Sequence, residues 1–172
     1  GLQNNGNVDG NLFGGQIAMP PVAQFPSNAP INPAPAASAI DGDLVLNAGA
    51  SNGGRCFTDA QSITHCKISS ITLKRSNTLT VNAPGNSRIQ LYVDGDITIG
   101  GSTALLHSGS PTALAIFGKP RSTSSSCSQN VTIGGGGSTI NLFIFMPDAC
   151  IGINGGSGTP DIQGAVWARE YK

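Results

Sequence analysis

Ile89-Gln90-Leu91-Tyr92-Val93-Asp94-Gly95-Asp96-Ile97-Thr98-Ile99-Gly100-Gly101 is the stretch on which the fold turns. Two short alternations of apolar and polar residues are separated by Asp-Gly-Asp and stopped by two glycines. A period of two puts Ile89, Leu91 and Val93 on one face of a strand and Gln90 and Tyr92 on the other. Both halves recur. Ile97-Thr98-Ile99-Gly100-Gly101 returns as Val131-Thr132-Ile133-Gly134-Gly135 and as Ile151-Gly152-Ile153-Asn154-Gly155. Leu91-Tyr92-Val93-Asp94 returns as Leu114-Ala115-Ile116-Phe117, Leu142-Phe143-Ile144-Phe145 and Gly164-Ala165-Val166-Trp167.

Val131 to Ile151 is 20 residues and Ile97 to Val131 is 34, so an insertion is expected at residues 118–128, GKPRSTSSSCS. Repeats of this length that cannot bury their apolar face alone must stack. The expected fold is all-β, a right-handed parallel β-helix (β-solenoid) of about five or six rungs, near 25 Å long at ~4.8 Å per rung. An antiparallel sandwich also alternates, but it need not repeat one strand at fixed corners. Earlier strands are read at Leu44–Leu46, Ile68–Leu73 and Leu79–Val81.

Composition agrees. Only 10% of residues are charged, too few for the Glu- and Lys-rich surface of a helical protein. Nine basic residues balance nine acidic ones, with no basic stripe, which argues against nucleic-acid binding. No apolar run is long enough to span a membrane, and no signal peptide is visible. The chain begins at Gly1 without an initiator Met, which fits a processed or truncated chain. Residues 1–40 differ in texture. They are Gly- and Asn-rich, then Pro-rich from Pro20 to Pro35, and read as an extended leader or strap ahead of a β-solenoid domain at 41–172. Ile17, Met19, Val22, Phe25 and Ile31 argue for a strap, since a pure linker needs no apolar residues.

Cys56, Cys66, Cys127 and Cys150 suggest two disulfides and an oxidising compartment, hence an extracellular or cell-surface location. Three connectivities are open; the nearest-neighbour scheme, Cys56–Cys66 with Cys127–Cys150, is the expected one. A zinc site from Cys56, His65 and Cys66 lacks the usual spacing and a fourth ligand, and a disulfide-closed surface loop explains these residues better. Asp94 and Asp96, like Asp41 and Asp43, could offer oxygens to Ca²⁺, but Asp beside Gly is first a turn. His107 stands alone. Gly134 to Gly137 lacks the Lys-Ser/Thr of a phosphate loop. No nucleophile and base can be assembled, and no cofactor is implied. A regular Thr ladder for ice binding is not expected, because Gly152 follows Thr98 and Thr132.

The aromatic residues are the more specific signal. If Leu91, Leu114 and Leu142 point inward, then Tyr92, Phe117, Phe143, Phe145 and Trp167 point outward, with Phe117, Phe145 and Trp167 at one repeat position. Such a column is either covered by the leader or an inserted loop, or used for binding.

The quoted stretch also resembles the LYVDGDI signature of a C-terminal domain of PilX-like minor pilins. Phe145-Met146-Pro147-Asp148-Ala149, Ile151 to Gly156 and Gly164 to Ala168 are similar to the end of cyanobacterial hormogonium-polysaccharide-secretion pseudopilins. The resemblance covers roughly residues 70–172. The pilin-like helix of that group has no counterpart in this sequence, so it was removed or only the distal domain is matched. The resemblance implies a non-enzymatic module of a type IV pilus-like or cell-surface assembly, a filament subunit or adhesin whose partners are surface protein subunits or copies of itself. The alternative is a glycan-binding domain in which the aromatic column stacks on polysaccharide. A polysaccharide lyase or hydrolase is a third reading, and would need Asp94, Asp96 and Asp148 gathered in one groove.

Overall fold

In a computed structural model of the chain, the repeated strands pair in parallel, each with its counterpart in the neighbouring repeat. The structure describes residues 20–27, 35–74, 76–100, 104–107, 109–134, 139–154 and 161–172. The expectations for residues 1–16, Ile17, Met19, Ile31 and Gly135–Gly137 lie outside them. The strands are β1 (Ser38–Ile40), β2 (Leu44–Asn47), β3 (Cys56–Thr58), β4 (Ile63–Leu73), β5 (Thr78–Asn82) and β6 (Arg88–Val93). They continue as β7 (Ile97–Ile99), β8 (Ala104–Leu106), β9 (Leu114–Phe117), β10 (Gln129–Gly134), β11 (Thr139–Asn154) and β12 (Asp161–Tyr171). The protein is all-β, with one 3₁₀ turn at Pro111–Ala113 and no α-helix among the described residues.

The larger sheet runs β1-β4-β6-β9-β11-β10-β7, with β12 beside β11 and β3 beside β4. A further pairing of β4 with β7 closes a hydrogen-bonded path through six strands. Two long strands make that closure possible. The first half of β4 pairs with β6 and its second half with β7. β11 pairs likewise with β9 at Phe143–Phe145 and with β10 at Ala149–Asn154. β2, β5 and β8 form a second parallel sheet. Partners in the parallel ladders lie between 20 residues apart (Val131 and Ile151) and 35 (Leu44 and Leu79).

The registers set the interior. Ile71, Ile97, Val131 and Ile151 share one column, and Leu91, Ile116, Ile144 and Val166 another. Burying one such side chain contributes about 1.5–3 kcal/mol. Val166 is less buried than its column mates, as is Ile153 beside Leu73, Ile99 and Ile133, with which it aligns. Among the described residues no strand pairs with the far edge of β12 to cover that end.

Three readings of the sequence need correction. The strands at Leu142–Phe145 and Ile151–Ile153 are one continuous element, β11. Residues 144–151 are buried throughout, so both faces are covered and alternation fails as a guide. Pro147 sits inside this strand, where the β11–β12 register shifts between Met146 and Cys150, as a residue without an N–H requires. The expected surface loop at Cys56–Cys66 is an antiparallel hairpin, β3–β4, with the two cysteines directly opposite and buried. The sheet also begins before residue 41, because β1 pairs with β4.

Candidate functional site

The register of β4, β6, β9, β11 and β12 puts Lys67, Tyr92, Phe117, Phe145 and Trp167 at one outward position. Phe143 lies two residues before Phe145 on the same face. Tyr92 stacks on Phe117 with centroids 5.5 Å apart, and Phe117 meets Phe143 edge-on at 6.5 Å. Phe143 stacks on Phe145 at 6.3 Å, and Phe145 meets Trp167 edge-on at 5.9 Å. His65 extends the file, stacked between Tyr92 at 5.8 Å and Phe57 at 5.0 Å. Such aromatic pairs add about 0.5–1.5 kcal/mol each beyond their buried area. The expected column of five aromatics is therefore one continuous file.

Its two ends differ. Phe25 of the leader packs edge-on against both Phe57 and Tyr92 at 5.5 Å, and Val22 beside it is buried. Lys67 Nζ stands 5.9 Å over the Phe25 ring. The leader thus covers the Tyr92 end. Phe117 and Phe143 are half-buried, and Trp167 at the other end is 37% exposed. A hollow of about 390 Å³ opens between Phe117 and Phe143, floored by Ala115, Ala165 and Gly164 and edged by Gln90 and Thr112.

Beneath the leader runs a polar chain that sequence reasoning missed. His65 is buried, with Nε2 2.9 Å from Asp59 Oδ2 and Nδ1 2.9 Å from Tyr92 Oη. Tyr92 Oη donates to Gln90 Oε1 at 2.7 Å. The hydrogen bond from His65 holds the Asp59 carboxyl below its ordinary value, against a smaller opposing effect of burial. A phenol in line with His and Asp is a nucleophile only where its pKa falls. Here burial, and then the charge of Asp59, push Tyr92 up to about 12. The phenol keeps its proton, and the chain holds the rings in place.

The insertion at 118–128 is latched from three sides. Gln129 is fully buried, donating to the carbonyls of Val93 at 2.9 Å and Gly95 at 2.8 Å while accepting the Lys119 N–H at 2.6 Å. Asp148 Oδ1 accepts from Arg169 Nη1 at 2.8 Å and from Ser122 Oγ at 3.2 Å. Arg169 also donates to the carbonyls of Ser124 and Ser126. Burial pushes the Asp148 carboxyl up, but hydrogen bonds from Ser128 and Ser122 and the Arg169 charge outweigh it, so it stays below its ordinary value. Cys127–Cys150 completes the latch, and Cys56–Cys66 closes the hairpin, which is the nearest-neighbour pairing.

These contacts bear on the remaining candidates. Cys56 and Cys66 are bonded to each other, so they are not zinc ligands beside His65. Among the described residues the one cluster of metal-type atoms is Cys127, Cys150 and Glu170, and its sulfurs form a disulfide. Asp96 Oδ1 accepts the N–H of Asn130 at 2.8 Å, and Asp43 Oδ1 accepts that of Thr78 at 2.7 Å. Each Asp-Gly-Asp therefore fastens its second acid to the backbone at a neighbouring strand. A Cβ on Gly95 would meet the carbonyl oxygen of Ser69. Asp94 is exposed, and Asp148 is only 1% exposed. His107 is buried between the carbonyls of Val81 and Ser110. Thr72, Thr98 and Thr132 align before Gly152 breaks the column.

The molecule is therefore an all-β protein of parallel strands with an outer aromatic file and two disulfides, which fit an oxidising, non-cytoplasmic environment. It belongs to the family of the domain of unknown function DUF7305, whose family model matches residues 69–172. No curated protein and no solved structure matches the chain.

Proposed function

We propose that the chain is a right-handed parallel β-helix acting as a non-enzymatic interaction module of a pilus-like or other cell-surface assembly. The stacked registers and the two recurring strand types support the coil. The observation that carries the function is the aromatic file, covered by the leader at one end and presenting Trp167 at the other. A large ring left exposed beside a buried one, Phe145, is the usual centre of a contact with a partner. The resemblance to minor pilins and secretion pseudopilins supports the same reading.

The test is made in cells that carry Trp167→Ser in their own copy. Antibody should label the protein on intact cells, with its cysteines blocked to alkylation, and the substitution should reduce adhesion or pilus assembly at unchanged protein level. An intracellular pool with free thiols, or adhesion and assembly untouched by the substitution, would overturn the proposal.

A second reading, glycan binding, is favoured by the apolar hollow between Phe117 and Phe143, whose size is in the range of small-ligand sites. It predicts glycan-array binding that Trp167→Ala or Phe117→Ala abolishes. Polysaccharide cleavage draws less support, because Asp96 is engaged by a backbone amide and Asp148 is sealed beneath Arg169.

A further inference from the structure

Three hollows on the outer face lie side by side, each sharing wall residues with the next, and together mark a track across that face. The first, about 390 Å³, is walled by prolines of the leader and the insertion and carries Arg121. It shares Gln24 and Pro120 with the second, about 240 Å³, which holds Phe25, Lys67, Asp94, Phe117 and Lys119. Phe117 is in turn a wall of the third, the hollow over Ala115.

Charge is uneven along this track. Lys67, Lys119 and Arg121 face it against Asp94 alone, although the chain as a whole is neutral. None of the three cations is in an ion pair among the described residues. Lys119 and Arg121 are exposed at the rim, and Lys67 is half-buried. The track therefore offers cations over one part and half-exposed aromatic and proline surface over the rest.

That combination selects an occupant. A row of adjacent hollows suits a linear polymer better than a single small molecule. An extended peptide would bind by adding a strand, but β6, β9 and β11 beneath the track already have neighbours on both sides. Three cations are few for a nucleic-acid backbone, whose binding rests on many phosphate contacts. A sugar polymer that carries carboxylates uses both surfaces, with its apolar ring faces on Phe117 and its acid groups at the cations. We propose that the track binds a linear acidic polysaccharide, its uronate carboxylates at Lys67, Lys119 and Arg121 and a pyranose face on Phe117. This rests on the glycan reading above and adds to it the class of glycan.

The test is calorimetric titration of the full 172-residue chain with oligomers of galacturonate, mannuronate and guluronate, each also as its methyl ester. At least one free acid should bind, its ester markedly less, and high salt should weaken the acid alone. The double variant Lys119→Gln/Arg121→Gln, at surface positions where folding is not at stake, should weaken the acid roughly five- to thirtyfold. Phe117→Ala should weaken acid and ester alike. Equal binding of acid and ester would overturn the charge assignment and leave neutral glycan binding standing. Failure of every oligomer would overturn the acidic-polysaccharide assignment; failure of the glycan array as well would overturn glycan binding altogether, while the surface-assembly proposal would remain. Polyglutamate of matched length competing as well as the uronates would overturn the saccharide class.

Discussion

Gln129 joins its own strand, β10, to the junction of β6 and β7 and to the insertion. Its amide donates to the carbonyls of Val93 and Gly95 at that junction, and its oxygen takes the Lys119 N–H near the start of the insertion. Gln129→Ala would leave these groups buried or half-buried without partners, at a cost of roughly 2–3 kcal/mol. Urea unfolding should show that loss, and hydrogen exchange should show faster exchange at Lys119. Charge at single residues also sets the pH limits. Asp59 and Asp148 have lowered values in the folded state, so their contribution is present above about pH 4 and is lost as pH falls through those values. Tyr92 has a raised value, so its contribution is complete below about pH 10 and is lost as pH climbs toward about 12. Thermal melts across pH should decline at both extremes, and Tyr92→Phe should flatten the alkaline decline while leaving the acid one.

At the scale of elements, β12 depends on a single glycine. Gly164 has φ of +146°, and a Cβ there would run into the carbonyl of Leu142 on β11. Gly164→Ala should cost about 3 kcal/mol and free the amides of β12 to exchange, while those of β6 and β9 stay protected. The strands that the sequence revealed most directly are those with one wet face, such as β5, β7 and β10, where alternation survives. The first half of β4 was not legible, because His65 and Cys66 are buried by a hairpin and a leader that come from elsewhere in the chain. The aromatic file was legible, since Phe117, Phe145 and Trp167 recur at one repeat position. Asp59 and Arg169 were not, because their roles depend on which distant segment they meet. Arg169 gave one usable signal: it follows Trp167 by two residues and so shares the outward face of β12.

For the whole molecule, the two disulfides act in different places. Cys56–Cys66 fixes the hairpin over one end of the larger sheet, while Cys127–Cys150 ties the insertion to β11. Cys127→Ser/Cys150→Ser should lose about 3 kcal/mol of stability and expose residues 118–128 to proteolysis, with the rest of the chain still folded. Limited digestion followed by mass spectrometry would read both effects, and an insertion that stays resistant would contradict the latch. The bridges also have a mechanical meaning. Pulled from its two ends, the oxidised chain cannot pay out the sequence separations of 10 and 23 residues that its two bridges span. Its fully stretched length falls short of the reduced chain by roughly 110 Å, at about 3.5 Å per residue. A tether under flow would yield by that much less before going taut, and force spectroscopy with and without reductant would measure the difference as missing contour length.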